Sequence, residues 1–123
     1  MLHLKPDKIL KQTNKLIEIT RHADQEYNNR RDSKVKGDFY TEVKPFADHA
    51  HSILSEWKEA ASNYLINQPK KNIHQNQIAA TAENIELIVV QCFFPETSYK
   101  RFKSYIQSSL YVLEQLSAIL EDH

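Results

Sequence analysis

Apolar residues return every third or fourth position along four stretches of the chain, and polar segments separate them. From Pro6 to about Arg30 the recurring set is Ile9, Leu10, Thr13, Leu16, Ile17, Thr20, Ala23 and Tyr27, the spacing of one face of an α-helix. Pro6 suits a first helical turn, where its missing N–H has no intrahelical partner, and Asp7 complements the positive end of the helix dipole. A second set, Val43, Phe46, Ala47, Ala50, Ile53, Leu54, Trp57, Ala61 and Tyr64, predicts a second helix with Pro45 in its first turn, because an interior proline costs about 3 kcal/mol. Ile78, Ala82, Ile85, Ile88, Val89 and Cys92 form the third stripe, closed by Pro95. Tyr99, Phe102, Ile106, Leu110, Leu113, Leu116 and Leu120 form the fourth.

The connections have their own signals. RRDSKVKGD, residues 30–38, is polar and aperiodic, and DFYTEV, residues 38–43, reads as a lead-in to the second helix, a short helical turn able to fold its aromatic rings onto the bundle. NQPKKN, residues 67–72, is the second connection; Asn72 with Gln75 fits a capping box for the third helix. Thr97 or Ser98 caps the fourth. Connections of about 5 to 12 residues favour antiparallel neighbours, hence one all-α domain over residues 1–123, an up-down-up-down four-helix bundle. Leu10, Ile17, Leu54, Val89 and Val112 flank the stripes and give the wide apolar face of a globular bundle.

Composition narrows the chemistry. Gly37 is the single glycine among 123 residues, whereas hairpin sheets and phosphate-cradling loops use several. Nucleotide-binding fingerprints of the Walker or dinucleotide type are absent from the sequence. Lys plus Arg and Asp plus Glu are 16 each, so no global field draws polyanions and nucleic acid is not an expected partner. The lone Cys92 makes no internal disulfide. With no apolar run of signal-peptide length in MLHLKPDKILKQTNK, a reducing cytoplasmic setting is expected. IELIVVQCFFPE, residues 85–96, is too short to span a bilayer, which takes about 20 apolar residues.

The segment FYTEVKPFADHAHSILSEW, residues 39–57, with the chain length and the four-helix layout, resembles the YppE-like family of small proteins from Gram-positive spore-forming bacteria. The resemblance covers nearly the whole chain. It implies a cytoplasmic helical bundle and lends no catalytic residues.

Candidate chemistry begins with the histidines. Glu18, His22 and Glu26 share one side of the first helix at i, i+4 spacing, but by helical phase that side lies mostly opposite the apolar stripe. His49 and His51 stand about 200° apart around the second helix, so they do not ligate one ion together. The Glu-x-x-His signature of di-iron bundles is missing, so the histidines read as solvated and no metal or cofactor is expected. Cys92, at a helix C-terminus among Val89, Val90, Phe93 and Phe94, reads as an inert core thiol. No strand-turn-helix elbow presents a serine nucleophile.

An antiparallel bundle gathers its first and third connections at one pole. That pole collects Tyr27, Phe39, Tyr40, Phe46, Phe93, Phe94, Tyr99 and Phe102, rimmed by Arg30, Arg31, Lys34, Lys36, Lys100 and Arg101. The aromatics read first as a cap on the core with snorkelling cations, and alternatively as a binding site. On the third helix, Leu87 and Val90 fall on the outward side yet are apolar. Either the lead-in through Phe39, Tyr40 and Val43 covers them, the arrangement expected here, or Leu87, Val90, Phe94, Phe39 and Tyr40 form a docking face.

Two functional readings follow: a non-enzymatic interaction module, for a protein partner or a second copy, and a bundle that binds a metal or small anion at the pole. Helical phase puts Trp57 in the core. Its emission should be blue-shifted in the native protein; emission like free tryptophan in water would mean that the second helix is rotated from this assignment.

Overall fold

The computed structural model describes residues 6–122. Helix α1 runs over Pro6–Ser33, α2 over Lys44–Asn67, α3 over Gln75–Gln91 and α4 over Tyr99–Glu121, with one helical turn at Phe39–Val43 leading into α2. Each helix packs along its two sequence neighbours, α1 and α4 closing the ring, and α1 also touches α3 across the centre. That cycle is the expected up-down bundle.

The apolar stripes meet in two contiguous clusters. The larger, containing Leu16, Trp57, Ile78, Ile85, Leu113 and Leu116, fills most of the bundle. The smaller, containing Ala23, Tyr27, Val43, Ile88, Cys92, Phe93, Phe102 and Ile106, fills the end where the first and third connections lie. Ile19, outside the predicted stripe, is also buried, whereas Ile17 lies at the edge of the core. Tyr99, assigned to the apolar stripe of α4, is exposed.

Two polar groups cross the larger cluster without losing their hydrogen bonds. The Trp57 indole N–H donates to Thr13 Oγ1 at 2.9 Å, and that hydroxyl donates in turn to the Ile9 carbonyl at 2.7 Å. Burial without such partners would cost several kilocalories per mole, so the pair fixes α1 against α2 at one register. Thr20 in the same helix bonds back to the Leu16 carbonyl at 2.7 Å.

Helix ends follow local chemistry. Ser98 caps α4, its Oγ accepting from the Arg101 N–H. The predicted capping box of α3 is displaced by two residues: His74 is the N-cap and Gln77 completes the box, its Oε1 accepting from the His74 N–H at 2.8 Å. Buried Ile73 explains the displacement. Starting at Asn72 would place it inside the helix, whereas an apolar residue just before the cap packs against the body. At the far end α3 stops at Gln91, ahead of Pro95.

Helix α1 continues past Arg30 and closes at Lys34, which sits in the left-handed region at φ 63° and donates its N–H to the Arg30 carbonyl at 2.7 Å. That conformation usually belongs to glycine. The chain's glycine is used differently. Gly37 is buried, its N–H donates to the Phe93 carbonyl at 2.8 Å, and a Cβ there would stand 2.8 Å from Phe93 Cβ. Close approach of two backbones, not a turn, requires it.

The turn before α2 is widened. Val43 and Lys44 donate to Asp38 and Phe39 carbonyls five residues back, which relieves the clash a proline ring makes with the carbonyl four residues before it, here Thr41 ahead of Pro45.

Leu113 is fully buried in the larger cluster. Replacing it with alanine should cost about 2 to 5 kcal/mol, read as a lowered urea midpoint; an unchanged midpoint would contradict the packing of α4.

Candidate functional site

The pole is built from the C-terminal turns of α1 and α3, the first connection and the N-terminus of α4. Arg30 organises it. Its Nε donates to Glu26 at 2.7 Å, its Nη2 to Glu42, and its Nη1 to the Val35 carbonyl at 3.2 Å. The guanidinium carbon lies 5.6 Å from the centre of the Phe93 ring, within cation–π range. One side chain thereby ties α1, the connection, the turn before α2 and the end of α3.

Glu42 and Asp38 complete the arrangement. Glu42 Oε1 accepts from the Asp38 N–H at 2.8 Å, while Asp38 accepts from Thr41 N–H at 2.9 Å and from the Thr41 hydroxyl at 2.8 Å. The Thr41 backbone and hydroxyl hold the Asp38 carboxyl below its usual range. The Asp38 N–H, followed by the Arg30 guanidinium, does the same for Glu42.

Below this clamp the aromatics divide. Tyr27, Phe93 and Phe102 are buried. Tyr27 stacks on Phe102 with ring centres 4.2 Å apart and donates its hydroxyl to the Thr97 carbonyl at 2.7 Å, so these rings are the expected cap. Phe46 meets Phe93 edge-on at 5.8 Å.

Three rings of the predicted set instead face water: Phe39, Tyr40 and Tyr99. Phe39 and Tyr40 pack edge-to-face, centres 5.1 Å apart. They do not cover α3: Leu87 and Val90 remain 43% and 38% exposed. The covering arrangement is therefore incorrect. The widened turn packs along α2, buries only Val43, and points its rings outward. Phe94 is half-buried beside the smaller cluster.

The basic rim also divides. Arg30 belongs to the clamp. Arg31 stays exposed, donating to the Tyr27 hydroxyl at 3.2 Å with its guanidinium 5.1 Å from the Tyr99 ring centre. Lys34, Lys36, Lys100 and Arg101 are exposed. Lys103, outside the predicted rim, is held by Asp24 and Asn28, each at 2.6 Å, and lies 5.5 Å from the Tyr99 ring centre. Its i, i+3 position from Lys100 was the available signal.

The candidate histidines lie apart from the pole's clamp. His22 packs its ring against Phe46, centres 5.3 Å apart, and His51 Nδ1 lies 2.7 Å from Glu86 Oε2 across α2 and α3. Glu26, on the side of α1 expected to face away from the core, is half-buried by its bond to Arg30. Among the described residues no three His, Cys, Asp or Glu side chains are grouped to hold a metal ion. Cys92 is fully buried, and burial, reinforced by Glu26, pushes its thiol far above the ordinary range. No described helix is long and apolar enough to cross a membrane.

Fold and pole together define a small all-α protein, an up-down four-helix bundle. Residues 13–120 match the model of a bacterial domain of unknown function, DUF1798, and the chain belongs to that family. It is 28% identical over 105 residues to the uncharacterized protein YppE of Bacillus subtilis, covering 85% of each chain. The crystal structure of that protein superposes with a TM-score of 0.87 at 26% identity, covering 96% of this chain and 94% of the other. A DUF1798 protein from Staphylococcus aureus gives 0.84 at 27% identity, covering 93% and 96%. A Listeria innocua protein of unknown function gives 0.90 at 23% identity, covering 95% and 94%, a likeness of fold.

The clamp makes stability pH-dependent in one direction. Folded-state values of Asp38 and Glu42 lie below their unfolded ones. Their contribution is therefore complete above the unfolded values, of which 4.5 for Glu42 is the higher, and is lost as pH falls through the lowered ones. Glu42→Gln should flatten the acid limb of melting temperature against pH; an acid limb as steep as the parent's would show that the clamp carries no such linkage.

Proposed function

We propose that the protein is a non-enzymatic interaction module whose contact surface combines the aromatic pole with the outer face of α3. The observation that carries this reading is the outward pair Phe39 and Tyr40, 53% and 77% exposed on a turn held by Asp38, Glu42 and Arg30. A segment free to relieve two solvated rings would fold them inward; this one is hydrogen-bonded into presenting them. Rigid aromatic side chains are what interface hot spots use, because they bury large area while losing few rotamers. Leu87 and Val90, with half-buried Phe94, add apolar surface of the kind that marks contact sites.

The competing reading, a bundle that binds a metal or small anion, has less support. Its metal form lacks a donor set among the described residues, and Arg30, the most enclosed cation of the rim, is already paired with two carboxylates. Cytoplasmic residence belongs to the same proposal, supported by a single buried free thiol.

Affinity capture from the native cytoplasm tests the proposal with two surface variants. Phe39→Ser/Tyr40→Ser and Val90→Glu should each retain the parent's melting temperature, since the groups replaced already face water, while weakening retention of the partner about tenfold, equivalent to about 1.4 kcal/mol. Full retention by both variants would sink the proposal. A large loss of stability in Val90→Glu would mean that the α3 face is covered in solution.

A further inference from the structure

Charge at the pole is sorted by pairing. Its part-buried acids are already engaged, Glu26 and Glu42 by Arg30 and Asp24 by Lys103, while exposed Asp38 accepts only from Thr41. The cations Arg31, Lys34, Lys36, Lys100 and Arg101 have no carboxylate within ion-pair distance among the described residues. Against these five stand three acids without a bonded cation, Asp32, Asp38 and Glu96. A chain with equal numbers of acidic and basic residues thus presents more exposed cations than exposed acids at one end, around the exposed apolar side chains Val35, Phe39, Tyr40 and Tyr99.

We infer that the pole binds an acidic segment of a partner protein in which carboxylates alternate with apolar side chains, an inference that rests on the interaction reading above. Arg31 and Arg101 offer planar forks suited to carboxylates, and Val35, Phe39 and Tyr40 offer exposed apolar contact on the first connection and the turn that follows it. Single-stranded nucleic acid fits less well, because successive bases need free ring faces to stack on. Phe39 and Tyr40 pack at 88° to one another, and Tyr99 has Arg31 and Lys103 at 5.1 and 5.5 Å from its centre. A second copy docking pole to pole would bring two positive rims together in an isologous contact.

The test is amide-shift titration of the full chain with three probes: a peptide of about 12 residues alternating Glu with Leu and Phe, the same peptide with Lys for Glu, and a short oligothymidylate. The acidic peptide should shift amides of residues 31–40 and 99–101. Its affinity should fall at least about tenfold in Lys34→Glu/Lys36→Glu and weaken with added salt, while the Lys peptide leaves the pole unshifted.

Equal binding of both peptides, preferential binding of the oligothymidylate, no shift at the pole, or unchanged affinity in the charge-reversed variant would each overturn the inference. If Phe39→Ser/Tyr40→Ser still releases the captured partner while the acidic peptide is ignored, the interaction reading stands and only the acidic partner falls. If neither responds, both fall.

Discussion

The structure depends most on how one guanidinium closes one end of the bundle. Arg30 leaves α1 three residues before the helix ends and reaches two carboxylates, one backbone carbonyl and the face of Phe93. Enclosed charge is costly unless hydrogen-bonded on most of its donors, and Arg30 meets that condition only if the connection folds back over α3. The Gly37 N–H to the Phe93 carbonyl then becomes possible, and so does the missing Cβ as its condition. Removing the clamp would leave the segment between α1 and α2 held chiefly by buried Val43.

The middle of the bundle is held differently. There, large side chains from all four helices pack in one cluster, and the indole of Trp57 crosses it to reach Thr13. Apolar packing tolerates small slides between helices; a buried N–H with a single acceptor does not. Register in the middle and closure at the pole are thus separate devices, and the two buried clusters are their traces.

The pole divides its side chains into paired and presented ones among the described residues. Groups that could do chemistry are neutralised in place: the thiol by burial, the enclosed carboxylates by Arg30 and Lys103. What faces outward among the described residues is apolar area and more cations than acids, on a hydrogen-bonded frame. The proposed role in recognition follows from that separation.

The four helices, their order and most buried positions were legible in the sequence, because helical periodicity is a local property and each stripe is long enough to read. The burial of Trp57, Leu113 and Cys92 followed from phase alone. Where neighbouring elements decide, the sequence was silent or misleading. Asn72 and His74 both head an acceptable capping box, and only the burial of Ile73 selects the later one. Arg30 and Arg31 are adjacent and chemically alike, yet a turn of about 100° puts one on Glu26 and Glu42 and the other, still exposed, on the Tyr27 hydroxyl and the Tyr99 ring. Phe39 and Tyr40 read as candidates to cover α3, but the widened turn ahead of Pro45 aims them outward. Local pattern determined which residues form helices; which like residues are paired, covered or presented was decided by distances between segments far apart in the chain, and those exist only once the bundle has closed.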